Sequence, residues 1–476
     1  MTLQPFIILA ATAVAQMLLV AFRRSHRATF GLGLVGMGAT LAALTAVRPV
    51  PPGYATGQLA LDGTAVFFAV LVILATVVVM VLSYHELSGR LAQPEEYYIL
   101  LSLAVLGGVV LVAANHFATF FLGLELLSVS LYALIAYPRS RDKLALEAGM
   151  KYLVLAGASS GFILLGMAFV YAELGSLDLS VLSHALQDLS PTVVSVAGAT
   201  LMVVGISFKL GLVPFHFWTP DVYEGAPAPI AAFLATASKG AVLALLMRHF
   251  APTEPHGSRA LMAGVSVLAI GSMVGGNLLA LLQDNVRRTL GGSSIAHMGY
   301  AMVALVAGGR LAAVALPFYV LAYFVTMLGA FGVVSLLSGD KRRADRIEDY
   351  RGLARTRPWL AAAMTAMLLS LAGMPLTAGF IGKFYVAASG AAAALWPLLG
   401  ALAVGSVIGL FYYLRIVIAI FSSAEEGSEA EPAPLADRPV PLAGGVLLSV
   451  LTLLVIWLGV YPAPILRVIE AAAQRF

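Results

Sequence analysis

Polar residues come in short clusters along this chain. Between the clusters lie apolar runs of about 20 residues, the length that crosses about 30 Å of hydrocarbon. The runs recur from one end to the other, at 3–22, 28–47, 64–83, 97–114, 116–137, 148–171, 192–213, 226–247, 260–282, 289–308, 311–338, 358–388, 393–421 and 440–461. The pattern therefore predicts an all-α polytopic membrane protein with about fourteen transmembrane helices. Runs four and five nearly touch, run seven ends directly before Pro214, and runs eight and twelve contain proline near an end or within the span.

Two of those prolines stand beside a charge. Pro214 closes the run that carries Lys209 in SFKLGLVPFHFWTP, and Pro375 precedes Lys383 in LAGMPLTAGFIGKFY. A proline inside a spanning helix removes an intrahelical hydrogen bond and clashes with the preceding turn. The backbone groups it frees must find protein or water, and broken helices of this kind recur in the two halves of inverted repeats. The breaks fall in runs seven and twelve, five spans apart, and an odd offset turns one unit upside down relative to the other. The expected organisation is three N-terminal helices at 1–96, a five-helix unit at 97–250, a second, inverted five-helix unit at 251–421, a flexible acidic connection at 422–439 and a last helix at 440–476.

Composition agrees with this class. The 476 residues are 60% hydrophobic and 11% charged, with a mean hydropathy of +0.94, whereas a soluble domain carries about 25% charged residues. A pI near 9.2 would suggest a nucleic-acid partner, but the formal net charge is only +4, and the basic residues are confined to a few loops. Of the 28 lysines and arginines, seventeen follow odd-numbered runs and six lie on the other side. Basic loops stay cytoplasmic, so both termini are expected outside, and KRRADRIEDYRGLARTR at 341–357 is expected to be a cytoplasmic loop. The first run reads as an uncleaved span, because Arg23, Arg24 and Arg27 follow it, whereas a signal peptide has its positive charges in front. With no cysteine, the chain cannot ligate an iron-sulfur cluster through thiolates or use a thiol nucleophile.

The lysines change the picture most. There are six against twenty-two arginines, and four of the six, Lys151, Lys209, Lys239 and Lys383, fall inside predicted spans, as does only one arginine, Arg415. A charge at the bilayer centre costs about 2.5–3.5 kcal/mol on the insertion scale. Arginine stays protonated everywhere, whereas a buried lysine can release its proton, so lysine suits a charge that comes and goes. The one acid well inside a span is Glu125, in FLGLELLSVSLYAL. One carboxylate cannot neutralise four ammonium groups, which implies that some lysines are neutral at any moment. At about 8 Å and an effective dielectric near 20, one such charge acts on the next with about 2 kcal/mol. Protonating one site would push the proton off its neighbour, and water admitted by the helix breaks would supply protons. Lys151 lies three residues inside its span, after Glu147, where its ammonium can also reach the headgroups. His297, in GGSSIAHMGY, is a candidate relay, and His216 and Arg415 read as interface residues.

Other motifs carry less. GLGLVG at 31–36 fits a dinucleotide loop but lies in an apolar span with no strand before it, so it reads as helix packing, as does GASSG in the sixth run. The sequence has no P-loop and no zinc-like histidine spacing.

Four stretches complete the reading: FKLGLVPFHFWTPDVYEGAPAPIAAFLATASKGA at 208–241, TLGGSSIAHMGYAMVAL at 289–305, IEDYRGLARTRP at 347–358 and AGMPLTAGFIGKFY at 372–385. They resemble the antiporter-like membrane subunits of respiratory complex I, the NADH-quinone oxidoreductase, and the likeness runs over essentially the whole chain. The L and M branches of that family usually show a HAATMV-like run where this chain has ATASKGA, and the long C-terminal extension of L members is absent, which favours the N branch. The resemblance implies a proton channel without a redox centre. Glu125 would pair with Lys151 or Lys209, Lys209 and Lys383 would be the carriers of the two halves, Lys239 a connecting lysine, and His297 a relay. It further implies membrane and peripheral partner subunits that hold NADH, FMN, Fe-S clusters and quinone, with no cofactor on this chain, and a place in the bacterial inner membrane. The rival within the same superfamily is a subunit of a multisubunit cation/proton antiporter, and a rival of another class is a membrane spacer whose lysines only glue helices.

Overall fold

The computed structural model describes residues 3–47, 57–87, 93–137, 143–187, 192–250, 259–338, 343–422 and 440–473. Twenty α-helices follow in order: α1 Gln4–Phe22, α2 His26–Ala46, α3 Gly63–Leu87, α4 Glu95–Ala113, α5 Phe117–Ala136, α6 Lys143–Leu174, α7 Leu179–Gln187, α8 Val193–Leu210, α9 Trp218–Gly225, α10 Ala228–Phe233, α11 Lys239–Phe250, α12 Arg259–Leu281, α13 Val286–Ala307, α14 Gly309–Leu337, α15 Leu353–Thr356, α16 Pro358–Ala372, α17 Ala378–Ala392, α18 Trp396–Phe421, α19 Leu442–Val460 and α20 Ala463–Ala473. A π-helical turn, Leu234–Ser238, joins α10 to α11. Among the described residues there is no strand, only isolated bridges such as Asn285 with Arg346. The acidic connection expected after Ser422, together with Lys341 and Arg342 of the basic loop, lies outside the described residues.

Thirteen helical stretches among the described residues are long and apolar enough to cross a membrane. The expected count of fourteen differs by run twelve, which is divided into two helices of 15 residues, α16 and α17, each too short to span by itself. Run seven likewise stops at Leu210 and resumes as α9. In both places the helix ends in glycine before it meets proline. Gly211 has φ +72° and Gly373 φ +84°, a left-handed conformation that costs a residue with a Cβ about 1–2 kcal/mol. Leu212 N–H donates to the Ser207 carbonyl, and Met374 N–H to that of Leu369, so each helix closes with the same C-terminal motif. The prolines then prevent resumption of the helix.

Small residues set the helix contacts. A Cβ on Gly107 would lie 2.5 Å from Leu127 N and 2.8 Å from Gly123 O, so α4 and α5 touch backbone to backbone. A Cβ on Gly276 would meet Ala296 N at 2.6 Å and Gly292 O at 2.8 Å, and α12 and α13 touch in the same way. In the GLGLVG stretch Gly36 packs on Thr12 of α1, and Ser159 of GASSG donates to Gly205 O of α8 at 2.9 Å.

The segment Ala228–Phe250 and α13 are buried along their whole spanning windows. They form the centre of the bundle, while side chains such as Phe22, Leu282 and Leu442 point outward, as apolar surroundings allow. One end of α11 is tied down by Arg248, which bonds Asp62 Oδ2 at 2.6 Å and donates to the carbonyls of Val112, Ala114 and Ala60.

Candidate functional site

Of the polar residues predicted to carry chemistry, Lys209, Lys239, His297 and Lys383 are buried in the bundle. Glu125, half-buried on α5, accepts a hydrogen bond from Ser160 Oγ of α6. One turn further along α5, Ser128 Oγ accepts from Lys209 Nζ at 2.8 Å. Lys209 stands in the last turn of α8, 5% exposed, where the carbonyls left unpaired at a helix C-terminus favour a cation. Glu125 and the Ser128 acceptor of Lys209 are thus one turn apart on α5, but Glu125 and Lys209 do not form a direct ion pair. Trp218 Nε1 donates to the Phe208 carbonyl at 2.9 Å and closes the break from the other side.

The resemblance also offered Lys151 as a partner for Glu125, and here the structure corrects it. Lys151 Nζ lies 2.7 Å from Glu147 and 2.7 Å from Asp221, with its side chain 41% exposed. Two carboxylates at the rim hold this amine, so it does not reach Glu125. Asp221 also takes Arg288 at 2.7 Å, and Arg288 bonds Glu224 at 2.8 Å. Short helix α9 thus carries an ionic network on one side and, through Trp218 and Tyr223, faces the buried centre on the other.

Lys239 follows the π-helical turn directly, a distortion that often marks function. Its Nζ donates to Ser294 Oγ at 2.8 Å and lies 5.9 Å and 5.6 Å from the ring centroids of Trp218 and Tyr223, within reach of a cation–π contact. A Cβ placed on Gly211 would be 3.5 Å from this nitrogen and 2.6 Å from Thr219 Oγ1, so the first break opens onto Lys239. His297, one turn along α13 from Ser294, bonds Tyr319 Oη through Nδ1 at 2.6 Å and Tyr413 Oη through Nε2 at 3.4 Å. Tyr413 in turn bonds Ser293 Oγ at 2.5 Å. Lys383, on α17, donates to the Ala372 carbonyl at 3.0 Å and stands 5.1 Å from the Tyr300 ring centroid. That carbonyl belongs to the end of α16, so the second break supplies the lysine's acceptor.

Pro214 and Pro375 both lie in the connections between half-helices. Arg415 meets Asp284 at 3.3 Å, and His216 stacks on Phe217 within the first break. Among the described residues no carboxylate contacts Lys239 or Lys383, and no group of histidines and acids could hold a metal. The arrangement can therefore do one kind of chemistry well: move protons among amines, an imidazole and hydroxyls shielded from bulk water. The hydroxyls of Ser293, Ser294, Tyr223, Tyr319, Tyr323 and Tyr413 escape a reading of the sequence. Serines and tyrosines are ordinary in spanning helices, and no spacing distinguishes those that converge.

Comparison with known proteins places the chain among relatives. The family model "NADH:quinone oxidoreductase/Mrp antiporter, TM" matches residues 114–409. The chain is 46% identical to NADH-quinone oxidoreductase subunit N of Ectopseudomonas mendocina, over 99% of this chain and 96% of that protein. It is 47% identical to subunit N of Chromohalobacter salexigens, over 98% and 97%. Among solved structures it is similar to a chain of respiratory complex I from Thermus thermophilus with bound aureothin, at 33% identity and a TM-score of 0.82, over 98% of this chain and 99% of that one. A chain of the Mrp complex from Dietzia sp. DQ12-45-1b shares the fold, with a TM-score of 0.86 at 19% identity, over 100% and 97%.

Proposed function

The chain belongs to the subunit N family of NADH-quinone oxidoreductases, and from that premise we propose that it carries protons across the membrane through its buried lysine row. It works as a membrane subunit of the NADH-quinone oxidoreductase complex, beside other membrane and peripheral subunits. Electrons pass from NADH to quinone in those partners, where FMN, Fe-S clusters and quinone reside, and this chain contributes no redox group. The observation that carries the reading is the burial of Lys239 and Lys383, 1% and 8% exposed, with no carboxylate partner among the described residues. A fixed charge there would cost several kcal/mol, while an amine that exchanges its proton is charged for only part of the cycle.

In this reading Lys151 and Asp221 form the rim where the row meets water. Lys209, biased by Glu125, is the carrier of the first unit, Lys239 connects the units, His297 relays, and Lys383 is the carrier of the second. Residues 97–250 and 251–421 act as the two inverted units. Their equivalence is supported by the matched glycine closures at Gly211 and Gly373 and by the matched close contacts of Gly107 with Gly123 and Gly276 with Gly292. The complex sits in the bacterial inner membrane, with both termini of this chain outside. The likeness to the Mrp chain is one of fold, and the near full-length identity to subunit N favours the oxidoreductase over an antiporter.

The test is Lys209→Met in the assembled complex, with proton pumping measured during NADH oxidation. Coupled pumping should fall at least tenfold while assembly is retained. Full pumping by an intact variant complex would leave the helix-gluing role as the better account.

A further inference from the structure

Ser294 stands at the centre of a hydroxyl cluster that a row of lysines does not require. Its Oγ lies 2.8 Å from Lys239 Nζ, 2.8 Å from Tyr323 Oη and 3.1 Å from Tyr223 Oη. Lys239, Ser294 and Tyr223 are at most 1% exposed and Tyr323 is 4% exposed, so bulk water does not compete for these bonds.

The number of hydrogens and lone pairs constrains the cluster. A serine hydroxyl has one proton and two lone pairs, and an ammonium only donates. With Lys239 charged, Lys239 and Tyr323 fill both lone pairs of Ser294, and Ser294 gives its own proton to Tyr223 Oη. With Lys239 neutral, its nitrogen offers a lone pair, and Ser294 Oγ is the donor at hand. Ser294 then turns its proton to Lys239, and Tyr223 turns its hydroxyl to donate into the lone pair set free. Each state satisfies every bond in the cluster, and the two interconvert by hydroxyl rotation without displacement of a heavy atom.

The register of the two units sharpens the point. The alignment that sets Gly107 on Gly276 and Gly123 on Gly292 also sets Glu125 on Ser294 and Ser128 on His297. The station held by a carboxylate in the first unit is held by a neutral hydroxyl in the second. An ionised carboxylate only accepts, and beside Lys239 it would hold the ammonium form.

We propose that Ser294 is a positioning residue that, with Tyr223 and Tyr323, reverses the direction of its hydrogen bond to Lys239 as that lysine changes charge, so that both states are accommodated. The proposal rests on the proton-carrying reading of Lys239.

The experiment uses the whole complex in vesicles, with proton pumping followed during NADH oxidation and the NADH-induced infrared difference spectrum recorded in the tyrosine C–O region. The Tyr223 component is identified by its loss in Tyr223→Phe. Ser294→Thr, which keeps the hydroxyl, should retain both pumping and that component. Ser294→Asp should cut coupled pumping at least tenfold, and Ser294→Ala and Lys239→Met should both abolish the Tyr223 component. Wild-type pumping in an assembled Ser294→Asp complex, or a Tyr223 component that survives Lys239→Met, overturns the switch. If Ser294→Asp does not assemble, the infrared result for Ser294→Ala decides. Full pumping by Lys239→Met would instead overturn the carrier role of Lys239, so the two failures are distinguishable.

Discussion

A buried amine and a buried guanidinium differ in what they can give up. Lys239 has one hydrogen-bond acceptor among the described residues, Ser294, and two aromatic faces; these suit an ammonium that lasts for part of a cycle. Arginine at this position would stay charged throughout. Lys239→Arg should therefore lower coupled NADH oxidation at least tenfold, about 1.4 kcal/mol in the barrier, in complexes that still assemble. Unchanged turnover would mean that the position needs only a positive charge. Lys383 depends on a different kind of partner, a main-chain carbonyl at 3.0 Å, so a side-chain substitution cannot remove its acceptor.

The end of α16 supplies that acceptor, and Gly373 permits it by closing the helix there. At Gly373 an added Cβ would lie 2.9 Å from Lys383 Cδ, in a backbone conformation of φ +84°. Gly373→Ala should lower the stability of the chain by about 1–2 kcal/mol from the backbone alone, and displace the lysine as well. Coupled pumping should then fall more than thermal stability does, which calorimetry and vesicle assays on the same preparation would compare. Equal and small losses would mean that the break tolerates a side chain. The clamp at the end of α11 makes a second prediction. Arg248 and Asp62 have side chains only 3% and 14% exposed, and removing one partner of a buried pair costs about 3–5 kcal/mol. Arg248→Met should leave little folded chain in the membrane, whereas a normal level in membrane fractions would show the pair to be dispensable.

Across the whole molecule the buried centre and the ionic rim meet on α9, whose Asp221 and Glu224 face the network with Lys151 and Arg288, and whose Trp218 and Tyr223 face Lys239. The orientation proposed for this arrangement rests on the basic loops and can be checked directly, because the sequence has no cysteine. Arg310→Cys should react with a membrane-impermeant thiol reagent from outside intact cells, and Arg355→Cys only after the cytoplasmic face is opened. The opposite result would reverse the chain in the membrane.

Much of this was legible in the residues. Apolar runs of about 20 residues announce spanning helices, since a helix of that length crosses the hydrocarbon with its backbone bonds made within the segment. Lysine inside such runs singles out candidates for a site, because burying a charge is costly, and proline marks the vicinity of a break. These are local properties, each set by a residue and its near neighbours in the chain. The partners were not legible. That Lys151 turns to Asp221 rather than Glu125, and that Ser294 gathers Lys239, Tyr223 and Tyr323, both depend on helices far apart in sequence. A hydroxyl in a helix reads the same wherever it points, and only packing decides which of them face a lysine.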